Sequence, residues 1–234
     1  MFKGGIPGQY GGRLSSVLDI RQKEGNMKTL SGTGGIGLIS SRLMLEGPLK
    51  KDESSFMVAA RRSYGDLFVP LSRDTVVQQT KLYFYDLNMK ANYIINDNNR
   101  VFVSGYLGRD VFKFGNNFGV DWGNSNLAAR WNHLYNPKLF SNLSFIYSKY
   151  NYDFTIKGIF NWKSYVENIT LKNDYTYYLN DKSTFKFGMQ ANKFNFNLGR
   201  IAVDANLSGD VLELGKRFGL EPSVYFTHSN ELST

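Results

Sequence analysis

Residues 82–95 read LYFYDLNMKANYII, and their polarity alternates. Tyr83, Tyr85, Leu87, Met89, Ala91, Tyr93 and Ile95 fall on one side, and Asp86, Asn88, Lys90 and Asn92 on the other. A period of two places these sets on opposite faces of a sheet, so the segment is predicted to be a strand. The pattern recurs from about residue 27 onward. Val101, Val103 and Leu107 share a face in the next run, as do Leu127, Ala129, Trp131 and Tyr135 in the one after. About ten strands are predicted in all, joined as antiparallel hairpins.

Polar breaks separate the runs. Lys50–Glu53, Asp97–Asn99, Asn136–Lys138 and Asp181–Lys182 are short and rich in turn-forming residues. The alternate connections, roughly residues 69–79, 115–120 and 204–218, look longer or less regular. Short turns at one end and longer loops at the other are the arrangement of an outer-membrane barrel. The predicted strands run to roughly 15–20 residues, whereas about 9–11 tilted residues cross the hydrocarbon of a bilayer. Such strands would protrude on one side.

The alternation also changes phase. Phe185, Phe187, Met189 and Ala191 are odd-numbered, but past Asn192–Lys193 the apolar set is Phe194, Phe196 and Leu198. Leu143, Phe145 and Tyr147 likewise give way to Tyr150, Tyr152, Phe154 and Ile156. A β-bulge produces such a slip. So does a strand that leaves lipid, where the facing rule lapses.

A soluble sandwich or lipocalin-like barrel is the competing architecture, but its strands would average about 5–6 residues. The polar face here carries Arg42, Glu46, Asp86 and Lys90, which suits a hydrated lumen. The other face is rich in Tyr and Phe, which suits lipid bordered by aromatic girdles. The chain's 15 Tyr and 18 Phe fit that picture. No window approaches about 18 consecutive apolar residues, which excludes only a helical crossing. Cysteine is absent, so disulfides and thiolate metal sites are excluded. The net charge is +8, but the basic residues are scattered without a stripe or motif, so no nucleic-acid partner is expected.

Candidate chemistry is sparse. GTGGIG at 32–37 matches the dinucleotide pattern G-x-G-x-x-G, but Gly47-Pro48 arrives too soon for the long helix that must follow. A glycine-rich strand is the better account. The two histidines, His133 and His228, have no triad or metal spacing around them. Asp86, Asp110 and Asp153 read as lumen or rim residues, and Arg42, Arg61 and Arg62 as lumen charge. No catalytic residue, metal or cofactor is expected, and the protein is not expected to be an enzyme.

Residues 10–26, YGGRLSSVLDIRQKEGN, supply a resemblance. They are similar to the end of the plug domain in TonB-dependent outer-membrane receptors of Bacteroidetes type. GGIGLISSRLMLEGPL followed by SSFMVAARRSYGDLF resembles the first barrel strands of that family, and FGLEPSVYF the entry to a later one. The resemblance implies a structural plug-end motif at Tyr10, Gly11, Gly12 and Arg13. It implies an all-β fold, an antiparallel transmembrane β-barrel that is incomplete here, about ten strands of a 22-stranded family barrel. Residues 1–25 would end the plug, with Leu14 to Arg21 as its last strand, and residues 26–234 would begin the barrel. The implied role is receptor-mediated uptake of a nutrient at the cell outer membrane of a Gram-negative bacterium. The implied partners are outer-membrane lipid, an extracellular ligand that the sequence leaves unknown, and the TonB energising complex acting through a part not present in this sequence. No signal peptide precedes Gly4, and the chain ends ELST without a terminal aromatic, so the chain is expected to be a fragment that does not transport alone. A complete small outer-membrane barrel, enzyme or adhesin, and a soluble β-sheet binding protein are the alternatives.

Overall fold

A computed structural model of the chain describes residues 2–3, 5–12, 16–203 and 209–230. One antiparallel sheet of eleven strands dominates it. The strands are β1 (Ser31–Ile36), β2 (Ser40–Lys50), β3 (Ser54–Ser63), β4 (Lys81–Asn96), β5 (Asn99–Phe114), β6 (Phe118–Asn136), β7 (Leu139–Ile156), β8 (Phe160–Asn180), β9 (Ser183–Val203), β10 (Val211–Glu213) and β11 (Lys216–Asn230). Strands β1 to β10 each pair with their sequence neighbours. β10 and β11 both lie along β9, at Arg200–Ala202 and Ser183–Asn197 respectively, and so form one edge strand broken at Leu214–Gly215. The sheet therefore has ten strand positions, in line with the periodicity. β1 and β11 do not pair with each other among the described residues, so the barrel is incomplete.

Three of the short turns share one construction. The Asn96, Asn136 and Asn180 side-chain oxygens accept from the backbone N–H two residues on, at 3.0, 2.9 and 3.0 Å. This Asx turn reverses the chain without help from a left-handed residue. In each hairpin a single residue before the asparagine (Ile95, Tyr135 or Leu179) falls out of register. Replacing Asn136 by Ala should cost about 1 kcal/mol for the lost hydrogen bond. A urea titration in detergent should show this as a lower unfolding midpoint.

The other end is less loop-rich than expected. Residues 115–117 and 157–159 are tight turns rather than long loops, with Gly115 and Gly158 at φ +54° and +76°. The connection from Tyr64 to Thr80 is long and carries two 3-10 turns and a helical turn (Thr75–Gln78) that Asp74 caps. Of the connection expected at 204–218, residues 204–208 lie outside the described residues and much of the remainder is strand.

Register assigns every side chain to a face. On the outer face one row runs Phe56, Ala91, Val103, Ala129, Phe145, Leu171, Ala191, Pro222. On β7 this face is largely apolar from Leu139 to Tyr147 and then turns to Lys149, Asn151 and Asp153. That height, about nine to eleven residues, is what a tilted strand needs to cross hydrocarbon. An aromatic row lines the Asx-turn end. Trp131, His133 and Tyr135 follow one another at 5.4 and 4.3 Å, and Tyr175 stacks on Phe187 at 5.2 Å. The opposite border is charged: Arg109–Asp121 at 2.9 Å, Lys163–Asp153 at 3.3 Å and Arg200–Glu213 at 4.0 Å. Arg62 pairs with Tyr85 in the same outer set, so Arg62 and Asp153 decorate the outside beyond the band instead of the lumen.

The phase changes have a physical cause. Register is unbroken through residues 140–156 of β7 and 184–197 of β9, so neither slip at those points is a bulge. The apolar set simply changes face. Phe112, Phe118, Phe154 and Phe160 form a chain of rings on the inner side, spaced 6.0, 5.5 and 5.6 Å. Above the band the outer surface meets water, so apolar side chains are better buried inside. The bulge in β9 falls later, at Leu198–Gly199, where the pairing with β8 skips and Gly199 has φ +134°.

Candidate functional site

The inner face within the band is polar, and the N-terminal segment lies across it. Among its described residues 16–21 there is no strand; a single bridge joins Val17 to Phe2. Of the strand expected over Leu14 to Arg21, residues 14 and 15 lie outside the described residues, and residues 16–21 carry only that antiparallel bridge and do not pair with the wall. Leu18 and Ile20 stay exposed, with no neighbouring strand to cover them.

Two groups of contacts hold the segment. Near β2–β5, Lys23 pairs with the buried Glu46 at 2.7 Å, and Gln22 donates to Asn88 at 3.1 Å. Lys90 donates to the Gln22 carbonyl at 2.9 Å, and Arg100 donates to Glu24 at 2.8 Å. Near β8–β11, Lys172 reaches the Gln9 carbonyl at 3.4 Å. Its ammonium also sits 5.9 Å from the ring of Tyr10 and 5.9 Å from that of Tyr225. The segment therefore spans the polar face from the β11 side to the β2 side.

The predicted plug-end residues are placed as follows. Tyr10 closes a 3-10 turn (Gly8–Tyr10) and packs on Phe2 at 5.7 Å. Gly11 ends that turn. Gly12 has φ +73°, a conformation that favours glycine. Arg13 lies outside the described residues. The residues that receive the segment, Lys90, Arg100 and Lys172, form no group along the sequence. Each is a cation on the polar side of its strand, but the grouping depends on register between strands.

Arg42, Arg61 and Asp86 stay on the inner face, with Arg61 and Asp86 paired at 2.8 Å. The histidines belong to the aromatic row: His133 meets Asn99 at 2.8 Å, and His228 stacks on Phe185 at 4.5 Å and meets Ser183 at 2.8 Å. Among the described residues no carboxylate completes a triad with Ser183 and His228, and no group of acidic or histidine side chains is placed to hold a metal. Above the band, Asp121 raises the pKa of Arg109 by its charge. Hydrogen bonds from Tyr147 and then Asn195 hold Glu167 below the usual carboxylate range.

No family model matches the chain, and no curated protein does. Among solved structures it is similar to the ferric yersiniabactin uptake receptor FyuA from Yersinia pestis, at 12% identity and a TM-score of 0.42. That match covers 81% of this chain and 34% of the receptor, so this chain spans about a third of that protein. It is also similar to the outer membrane protease OmpT from Escherichia coli, at 10% identity and a TM-score of 0.34, covering 82% of this chain and 83% of the protease.

Proposed function

We propose that this chain is the first part of the wall of an outer-membrane receptor that takes up a nutrient ligand, with its N-terminal segment ending a plug. The supporting observation is the N-terminal segment fastened by ion pairs at one end and a hydrogen bond at the other across the polar face of a membrane-height sheet. A porin-like wall would leave that face to water. An edge left unpaired in hydrocarbon is costly, so further strands complete the barrel. The TonB energising complex would act through the part of the plug that precedes this chain, and the wall itself would carry no catalysis.

Deletion tests the plugged-lumen reading. In the complete barrel, removing residues 1–30 should admit a large hydrophilic dye that the intact outer membrane excludes. If the shortened protein remains in the outer membrane and the dye is still excluded, the segment does not occlude the lumen and the reading fails.

A further inference from the structure

We propose that Lys90, Arg100 and Arg130 form an oxyanion-binding site on the inner face, and that Glu24 is its tethered occupant. The ligand class is a small solute bearing a phosphate or carboxylate group.

Register builds the site. Asn92, Phe102 and Arg130 lie in one row across β4, β5 and β6, with Lys90 and Arg100 in the rows on either side. Phe102 is nearly buried and acts as a platform. The three cations sit 5.8, 4.9 and 4.3 Å from its ring centroid. The ring's negative face attracts each of them, but it does not cancel three positive charges.

Only one carboxylate answers them among the described residues. The Glu24 oxygens lie 2.8 Å from Arg100 and 3.9 Å from Lys90. The neighbouring acids are engaged elsewhere: Glu46 with Lys23, Asp86 with Arg61, and Asp174 with Lys172 and Tyr225. Donors are therefore in excess. Arg100 Nε is buried without a partner, although the same guanidinium also donates to Asn92 at 2.9 Å. Arg130 has the Phe102 ring and no hydrogen-bonded acceptor among the described residues. Guanidinium and ammonium groups gathered on one ring match the oxygens of phosphate and carboxylate.

Glu24 is also the removable partner. It belongs to a segment outside the sheet ladder, so a free oxyanion can replace it without breaking any strand pairing. Binding of the solute and docking of residues 22–24 are then opposed reactions at one site, and each weakens the other equally.

Inorganic phosphate is the probe, titrated calorimetrically into the detergent-solubilised complete barrel, with acetate as the carboxylate arm and glycerol as the neutral control. Glu24→Gln removes the competitor and should tighten phosphate by about fivefold or more, the range of a modest coupling. Adding Arg130→Gln should abolish that gain, whereas adding Arg217→Gln, on the same face in β11, should not. Acetate following phosphate identifies a general oxyanion site, and phosphate alone a phosphate site. A second measurement uses the unmodified chain. A zero-length carbodiimide cross-link between Lys90 and Glu24 should fall with added phosphate, relative to the Lys50–Glu53 cross-link at 2.7 Å, and not with chloride at equal ionic strength. Unchanged phosphate affinity in Glu24→Gln, equal loss from Arg217→Gln, or a cross-link ratio indifferent to phosphate overturns the proposal.

Discussion

Ala129→Arg should keep the protein out of membranes, while Ala128→Arg one residue away should not. The two alanines are adjacent in β6 and point to opposite faces. Ala129 lies in the row with Val103 and Phe145, within the apolar band; Ala128 lies in the row with Ser104 and Lys90, on the polar face. An arginine on the lipid face near the midplane costs about 2–4 kcal/mol, and one on the lumen face far less. The two variants have identical composition, so expression and net charge cannot separate them. Folding yield of the complete barrel into lipid vesicles is the measurement. Equal yields would mean that the outer face does not meet hydrocarbon, and the membrane reading of the whole sheet would fall with it.

Gly25→Val should detach the N-terminal segment from the wall. A Cβ built at Gly25 falls inside the van der Waals shell of the Phe56 carbonyl oxygen and carbon. Those atoms belong to β3, which is hydrogen-bonded to β2 and β4 and cannot yield. The segment must therefore move, and the adjacent Lys23–Glu46 and Glu24–Arg100 pairs open. Carbodiimide reports this directly, because Lys23–Glu46 and Lys50–Glu53 are both 2.7 Å ion pairs. The first cross-linked peptide should disappear from the variant's mass spectrum and the second should persist. Retention of both would show that the segment accommodates the side chain, and loss of both would show damage to the wall.

The strands were legible because a period of two is a local property. Tyr83 to Ile95 announce their faces without reference to any other strand. The Asx turns were equally visible, since asparagine and its turn sit within a few residues. Facing beyond the band was harder. The change at Asn192–Lys193 fits a bulge or an exit from lipid equally well, and only the unbroken pairing of β8 with β9 separates them. Residues 14–21 are less legible for a related reason: alternation there does not name a partner, and the described part, residues 16–21, makes only the bridge from Val17 to Phe2. The segment's seat was least legible. Gln22 meets Asn88, 66 positions away, and Glu24 meets Arg100, 76 positions away. Such contacts follow from how three hairpins stand side by side, which no single stretch encodes.

Nearest-neighbour pairing has a consequence for how such a wall is made. Every ladder joins strands consecutive along the chain, apart from β11, which continues β10 along β9, so loop closure is local and its entropic cost stays small. Each Asx-turned hairpin can assemble on the previous edge as a unit and then serve as the template for the next. The same locality makes the hairpin a natural unit of gene duplication or loss. Adding one would widen the wall by two strands while leaving every existing register, and the segment docked on β2–β5, where they were.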